Sequence, residues 1–169
     1  MIIEMKVYGL MLDPFNHVPI VILRDMDGRN TIPIWIGIQE ALAIDMKLHP
    51  EKNPMTRPMT HDLMKNILAA LNIELVKIVI TDLQENTFFA ELHLDQGGET
   101  IVIDARPSDS IALALRTNSP IWVDEKVIAK SQKIEISDEK SGEEQAIPQK
   151  NWEDILKGLT PDDFGKYKM

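Results

Sequence analysis

The sequence predicts an α/β chain of the α+β type, built from two antiparallel three-stranded meanders with helices after each. Two triplets of strand-like runs, within 2–36 and 73–104, are each divided by short polar turns. An apolar run of helical length follows each triplet, at 38–48 and at 107–116. The two halves echo one another weakly, since Ala41-Leu42-Ala43-Ile44 after the first triplet resembles Ala112-Leu113-Ala114-Leu115 after the second.

Each element has a local reason. Residues 2–12 alternate, with Ile3, Met5 and Val7 on one face and Glu4 and Lys6 on the other, so they form a half-buried strand. Asp13-Pro14-Phe15-Asn16 is a turn. Residues 18–24 are apolar on both faces. Asp27-Gly28 predicts a type I′ hairpin, whose two central residues both need positive φ. Residues 30–36 complete the meander, and Pro33 places that strand at an edge or a bulge. The helix at 38–48 has few polar residues, which implies burial against more than one layer. Residues 49–59, with three prolines, form a loop. A helix over 61–71 follows, with Thr60 as N-cap, Leu63, Met64, Ile67, Leu68 and Leu71 as its core stripe and Asn72 as its stop.

The second meander occupies 73–82, 87–95 and 99–104, with turns at 84–86 and 96–98. Pro107 suits the first position of the helix at 107–116. A short strand at 120–123 and a short helix at 124–130 end a domain that spans 1–135. Residues 136–150 are charged and aperiodic and form a flexible linker. Residues 151–169, with Trp152, Ile155, Leu156, Leu159 and Phe164, form a helical tail that docks on the domain or on a neighbouring subunit. The strand at 73–82 reads as largely apolar on both faces, with Val76, Ile78 and Ile80 on the side shared with Phe89. Helices cover one face only, which predicts a homo-oligomer, a dimer or higher.

Composition narrows the function. The 169 residues contain no cysteine, which removes disulfides, thiol nucleophiles and thiolate metal sites and fits a cytoplasmic chain. No run approaches the roughly 18 apolar residues of a membrane helix, so no membrane association is expected. The net charge is -9, and residues 137–169 hold only 8 acidic and 5 basic side chains, so the acid excess belongs to the body too. Proteins that grip a phosphate backbone draw affinity from counterion release at basic patches. The charge therefore disfavours nucleic acid as a partner unless a local cation cluster or a bound metal supplies the contact.

Three groups of residues have chemical potential. Asp104-Ala105-Arg106-Pro107-Ser108-Asp109 spans a strand end and a helix start, where backbone N–H groups and the Arg106 fork suit an anion. Asp104 and Asp109 offer oxygen ligands to a divalent cation such as Mg²⁺. The plainer reading is that Ser108 or Asp109 caps the helix and Arg106 pairs with a carboxylate. Arg57-Pro58-Met59-Thr60-His61-Asp62 repeats the pattern, with His61 as a candidate proton carrier or simply an exposed histidine beside a cap. Glu91 and His93 share a strand face near Asp104, as a metal cluster or as solvated side chains. Glu40 either faces a site or pairs with Lys47 or another cation.

Ile34-Trp35-Ile36-Gly37 leading into Glu40-Ala41, then Arg57-Pro58 with Thr60-His61-Asp62-Leu63, then Asp104 through Ala114, together resemble the bifunctional nuclease (BFN) domain family. The resemblance spans about residues 1–135, and Pro161-Asp162-Asp163-Phe164 resembles the family's ending. It implies a BFN-like, oligomer-forming α/β fold and both RNase and DNase activity. It carries no established catalytic residues. Under that implication the chain is a phosphodiester hydrolase. Arg57 and Arg106 hold the phosphate, His61 moves a proton, and Asp104, Asp109 or Glu40 places a divalent ion. The competing reading is a non-catalytic homo-oligomeric module that binds an anionic small molecule or a protein partner.

Overall fold

A computed structural model gives the structure of the protein over residues 1–52 and 56–138. Both meanders form. The first is β1 (Ile2–Leu12), β2 (Pro19–Asp25) and β3 (Thr31–Trp35), followed by helices α1 (Ile38–Leu48) and α2 (Thr60–Ala70). The second is β4 (Glu74–Gln84), β5 (Thr87–Gln96) and β6 (Glu99–Ala105), followed by α3 (Pro107–Thr117), β7 (Ile121–Asp124) and α4 (Glu125–Asp138). Residues 136–138, expected to open the linker, belong to α4, and from residue 139 onward the expected linker and tail lie outside the described residues.

The meanders are two halves of one seven-stranded sheet, in the order β3-β2-β1-β7-β4-β5-β6. The four-residue β7 joins them, antiparallel to β1 and parallel to β4. It can hold that central position because Ile121 and Val123 are buried on the face that carries Met5, Ile78 and Ile80. The same face continues through Val21, Leu23, Ile32 and Ile34 at one side and Ala90, Leu92 and Leu94 at the other, all buried. This is the hydrophobic core, and burying it drives the two halves together. β3 is indeed an edge strand, with Pro33 in it.

The Ala-rich turns of α1 and α3 pack against each other. Ala41, Ala112 and Ala114 are buried there, and side chains this small allow close approach of the two helices. The sequence echo thus falls on two helices that pack together. Arg116, near the end of α3 and only 3% exposed, ties the layer together. Its Nε donates to Asp62 Oδ1 at 2.8 Å, and its Nη1 donates to the carbonyls of Ala43 at 2.9 Å and Ala112 at 2.8 Å. One guanidinium therefore bonds to α1, α2 and α3. Nothing in the sequence singled it out.

Several local expectations are corrected. The 25–30 turn is not type I′, because only Gly28 has positive φ. The Asp25 carboxylate instead gathers the backbone N–H groups of Arg29 and Asn30. The two-residue turns with two positive φ values are Glu85-Asn86 and Gly97-Gly98, in the second meander. Thr60 is the first helical residue of α2, and Met59 is its N-cap. Asn72 does stop α2: it adopts the left-handed conformation, and Ile73 N–H returns to Leu68 C=O at 2.9 Å.

The α2 stripe also differs. Leu63, Ile67 and Leu71 are exposed, and His61 is the buried residue of that helix. A hydrogen bond from His61 to Asp109 and an ion pair from Asp62 to Arg116 hold α2 against α3 with its His61 side inward, against its apolar periodicity. On β4, irregularities between Leu75 and Lys77 and between Ile80 and Asp82 break the expected alternation. Leu75, Ile78 and Ile80 share the core face, while Lys77 and Val79 lie on the other with Glu91 and His93. That second face is mixed rather than apolar, so it no longer argues for a partner subunit. Finally, α4 runs to Asp138 instead of stopping near 130, since no glycine or proline interrupts it.

Candidate active site

Three helices begin with the same device. Each has an acidic residue at its third position: Glu40 after N-cap Gly37, Asp62 after N-cap Met59, and Asp109 after N-cap Arg106. A carboxylate there sits within reach of the unpaired backbone N–H groups and the positive end of the helix dipole. Asp62 shows the cap directly, accepting the Met59 N–H at 3.0 Å. Pro107 takes the first position of α3, where its missing N–H costs nothing. At Gly37 an added Cβ would lie 2.2 Å from Glu40 Oε2, so glycine leaves the space into which the Glu40 carboxylate folds back.

The two segments singled out by the sequence meet. His61 Nε2 lies 3.0 Å from Asp109 Oδ1, and Arg106 Nε donates to Asp109 Oδ2 at 2.7 Å. Arg106 Nη2 reaches Glu40 Oε1 at 3.0 Å. The result is a chain of four groups, His61–Asp109–Arg106–Glu40, drawn from the first turns of α1, α2 and α3. His61 is buried, whereas the Arg106 side chain is 64% exposed. The histidine end is a packed anchor and the arginine end faces solvent.

The hydrogen bond from His61 lowers the Asp109 carboxyl, burial opposes it, and Arg106 lowers it further, to about 2. A depressed carboxyl contributes stability that is complete above its ordinary value of 3.8 and is lost as pH falls through about 2. Asp109→Asn should therefore cost about 2 kcal/mol at neutral pH. The gap between parent and variant should narrow as pH falls below 3.8. Urea unfolding at several pH values checks this, and a gap independent of pH would refute it.

Arg106 and Glu40 line an open groove of about 280 Å³ together with Trp35, Gly37, Phe88 and Ser108. Trp35 is 45% exposed and is held by a hydrogen bond from its Nε1 to Asp13 Oδ2 at 2.9 Å. An aromatic wall here is not legible in the sequence, because Phe88 arrives from the β4–β5 hairpin, about fifty residues from Trp35 in the chain. His61 and Asp109 do not line the groove. A larger hollow, about 350 Å³, lies between the ends of α2 and α3 and is lined by Lys65, Leu68, Thr117 and Asn118 among others. It contains none of the paired groups described above.

The other expected residues are placed differently. Arg57 is exposed and makes no hydrogen bond or ion pair to the described residues. Asp104 sits on β6 opposite Glu91, on the face away from Ile103 and Ala105, and no bond joins it to Glu40 or Asp109. The metal set Glu40, Asp104 and Asp109 is therefore not assembled. Among the described residues no group of three or more His, Asp or Glu side chains could hold a metal ion. The donors that are present do not fit a divalent cation either. Both Asp109 oxygens are engaged, and the Arg106 guanidinium occupies the position between Asp109 and Glu40. The Glu91–His93 pair forms on the sheet face, at 3.2 Å.

Residues 21–136 match the family model described as the bifunctional nuclease domain. An uncharacterized protein of Mycobacterium tuberculosis is 38% identical over 165 residues, covering 95% of this chain and 97% of that protein. Bifunctional nuclease 2 of Arabidopsis thaliana is 30% identical over 128 residues, covering 73% of this chain and 38% of the plant protein. Bifunctional nuclease 2 of Oryza sativa subsp. japonica is 29% identical over 108 residues, covering 62% of this chain and 33% of its own length. The family match contains every member of the ionic chain and the whole groove lining, and with it the protein belongs to the bifunctional nuclease domain family.

Proposed function

We propose that the protein is a nuclease that hydrolyses phosphodiester bonds of RNA or DNA in the groove lined by Glu40 and Arg106. One observation carries this reading: an exposed guanidinium and a carboxylate, 3.0 Å apart and delivered by two different helix starts, line the same groove. Arg106 supplies a planar fork for the non-bridging phosphate oxygens and stabilises the charge that develops there during attack. Glu40 takes a proton from a water molecule as the water oxygen bonds to phosphorus. The bond from phosphorus to the leaving oxygen breaks, and that oxygen takes a proton from solvent in the open groove. Asp109 and the buried His61 position Arg106 and stay out of contact with the substrate.

Trp35 and Phe88 suit unpaired bases, since stacking on an aromatic wall is worth about 1–3 kcal/mol per base. That favours single-stranded substrate. Arg57, exposed before α2, adds a further cation for the backbone. The absence of cysteine supports work in the cytoplasm.

The test is cleavage of labelled single-stranded RNA and DNA by protein from a nuclease-deficient host, with Glu40→Gln beside the parent. The variant should lose about 10²-fold or more in kcat, the range expected of a general base. Gly37→Ala should also lower the rate with little loss of stability, because the new methyl displaces the Glu40 carboxylate. Parental rates in both variants would contradict the mechanism.

A second reading has its own support. Glu40 and Asp109 together neutralise Arg106, which suits a non-catalytic module. Unchanged folding with no cleavage by the parent would select it.

A further inference from the structure

Trp35 is the last residue of β3, at an edge of the sheet, and lies half-exposed in the groove. An indole so placed would ordinarily move between rotamers. This one is tethered by a residue 22 positions earlier in the chain, through the bond from its Nε1 to Asp13 Oδ2. The other carboxylate oxygen, Asp13 Oδ1, accepts the backbone N–H groups of Phe15 at 2.9 Å and Asn16 at 3.3 Å. The turn that carries Asp13 is closed on itself. Asp13 N–H donates to Val18 C=O, and His17 N–H returns to Asp13 C=O, both at 2.9 Å. Burial pushes the Asp13 carboxyl up, but the bonds from Trp35, Phe15 and Asn16 outweigh it and hold the carboxyl low. An ionised carboxylate only accepts, so each oxygen serves its own donors. With its nitrogen engaged, Trp35 offers the groove only its aromatic carbon surface.

We propose, resting on the nuclease reading above, that Asp13 is a positioning residue: it fixes Trp35 as one wall of a clamp for a single unpaired nucleobase, and this clamp makes the groove select single-stranded over double-stranded substrate. Arg106 holds a phosphate whatever base is attached to it, so the ionic end of the groove cannot make that choice. A base inside a duplex presents only its edge in a groove. An unpaired base presents its face, which is what Trp35 and Phe88 can cover. The volume of about 280 Å³ is at the small end of ligand sites, which suits one base rather than several. Fixing the ring in advance strengthens binding, because its freedom is not lost when the substrate arrives.

Asp13→Asn separates the tether from the turn. The amide oxygen can still accept the two backbone N–H groups, as asparagine does in such turns, but the amide nitrogen then meets Trp35 Nε1–H donor to donor. The experiment measures binding of phosphorothioate oligonucleotides in three forms, single-stranded, duplex and abasic, beside cleavage kinetics. Asp13→Asn should bind the single strand roughly 5-fold more weakly, the lower end of what stacking one base is worth. KM should rise by a similar factor with kcat unchanged. Binding of the abasic strand and of the duplex, and the unfolding temperature, should stay at parental values. In a Trp35→Phe background, which keeps an aromatic face and has no N–H to tether, Asp13→Asn should have no further effect. Equal weakening toward the abasic strand would overturn the proposal, and so would the same loss in the Trp35→Phe background. A parent that binds duplex as tightly as single strand, or binds neither, would overturn it too. Cleavage that is indifferent to Asp13→Asn would remove the clamp and leave the nuclease reading standing. Asp13-dependent binding of the single strand without cleavage would support the clamp and remove the nuclease reading.

Discussion

Replacing Arg116 with leucine should cost about 3 kcal/mol of folding stability, the lower end of what breaking a buried ion pair costs. The guanidinium is 2% exposed and its partner Asp62 is 32% exposed, so solvent softens the loss at the carboxylate but not at the carbonyls. Ala43 C=O, in α1, loses a donor from α3, and leucine offers none in return. In the parent, burial pushes the Asp62 carboxyl up, but the Met59 N–H and Arg116 outweigh it and hold the carboxyl low. Without Arg116 the Asp62 pKa should rise. Arg116→Lys should recover only part of the loss, because an ammonium lacks the planar fork that reaches a carboxylate and two carbonyls at once. Denaturant unfolding measures the cost. A loss below about 1 kcal/mol, the level of an exposed pair, would show that Arg116 does not tie the helices.

Arg106→Ala should act in the opposite way, with a large effect on rate and a small one on stability. Removing one donor aimed at developing transition-state charge typically costs about 10²–10³ in kcat. Arg106 is 64% exposed, and pairs with that much solvent contribute little, about 0–1 kcal/mol each. The Asp109 hydrogen bond raises the Arg106 pKa, so the side chain is cationic at any working pH. Arg106→Lys keeps the charge but cannot hold Glu40, Asp109 and a phosphate with one fork, so it should recover only part of the rate. Single-turnover cleavage paired with thermal unfolding separates the two effects. A parental rate in Arg106→Ala, or a rate loss matched by unfolding, would contradict the assignment.

These two arginines differ in how far the sequence reveals them. Arg106 was visible because Pro107 marks a helix start and the strand before it ends at Ala105, so local signals framed it. Arg116 sits inside an apolar helix and reads as an ordinary last-turn cation. Only the packing of α1 on α3 turns it inward. The strands were legible for the same local reason, since alternation and turn residues are encoded within a few positions. The join of the meanders by β7 was not, because a four-residue run carries no signal for its neighbours. Asp109 and His61 were both noted, but their 3.0 Å contact depends on how α2 lies along α3. The apolar stripe of α2 is exposed for the same reason. Its rotation is set by a hydrogen bond and an ion pair to residues about fifty positions away, which periodicity does not record. The sequence allows Glu40 as a metal ligand or as the partner of a cation. Its orientation depends on the missing Cβ of Gly37, a contact that appears only in three dimensions.

The most direct test follows the Nε–H signals of Arg106 and Arg116 by nitrogen-edited NMR during titration with a phosphorothioate oligonucleotide that resists cleavage. Arg106 Nε–H should shift saturably, at the concentration that inhibits cleavage, while the buried Arg116 stays fixed. Inhibition with Arg106 unmoved would place the phosphate elsewhere and remove the groove from the reaction.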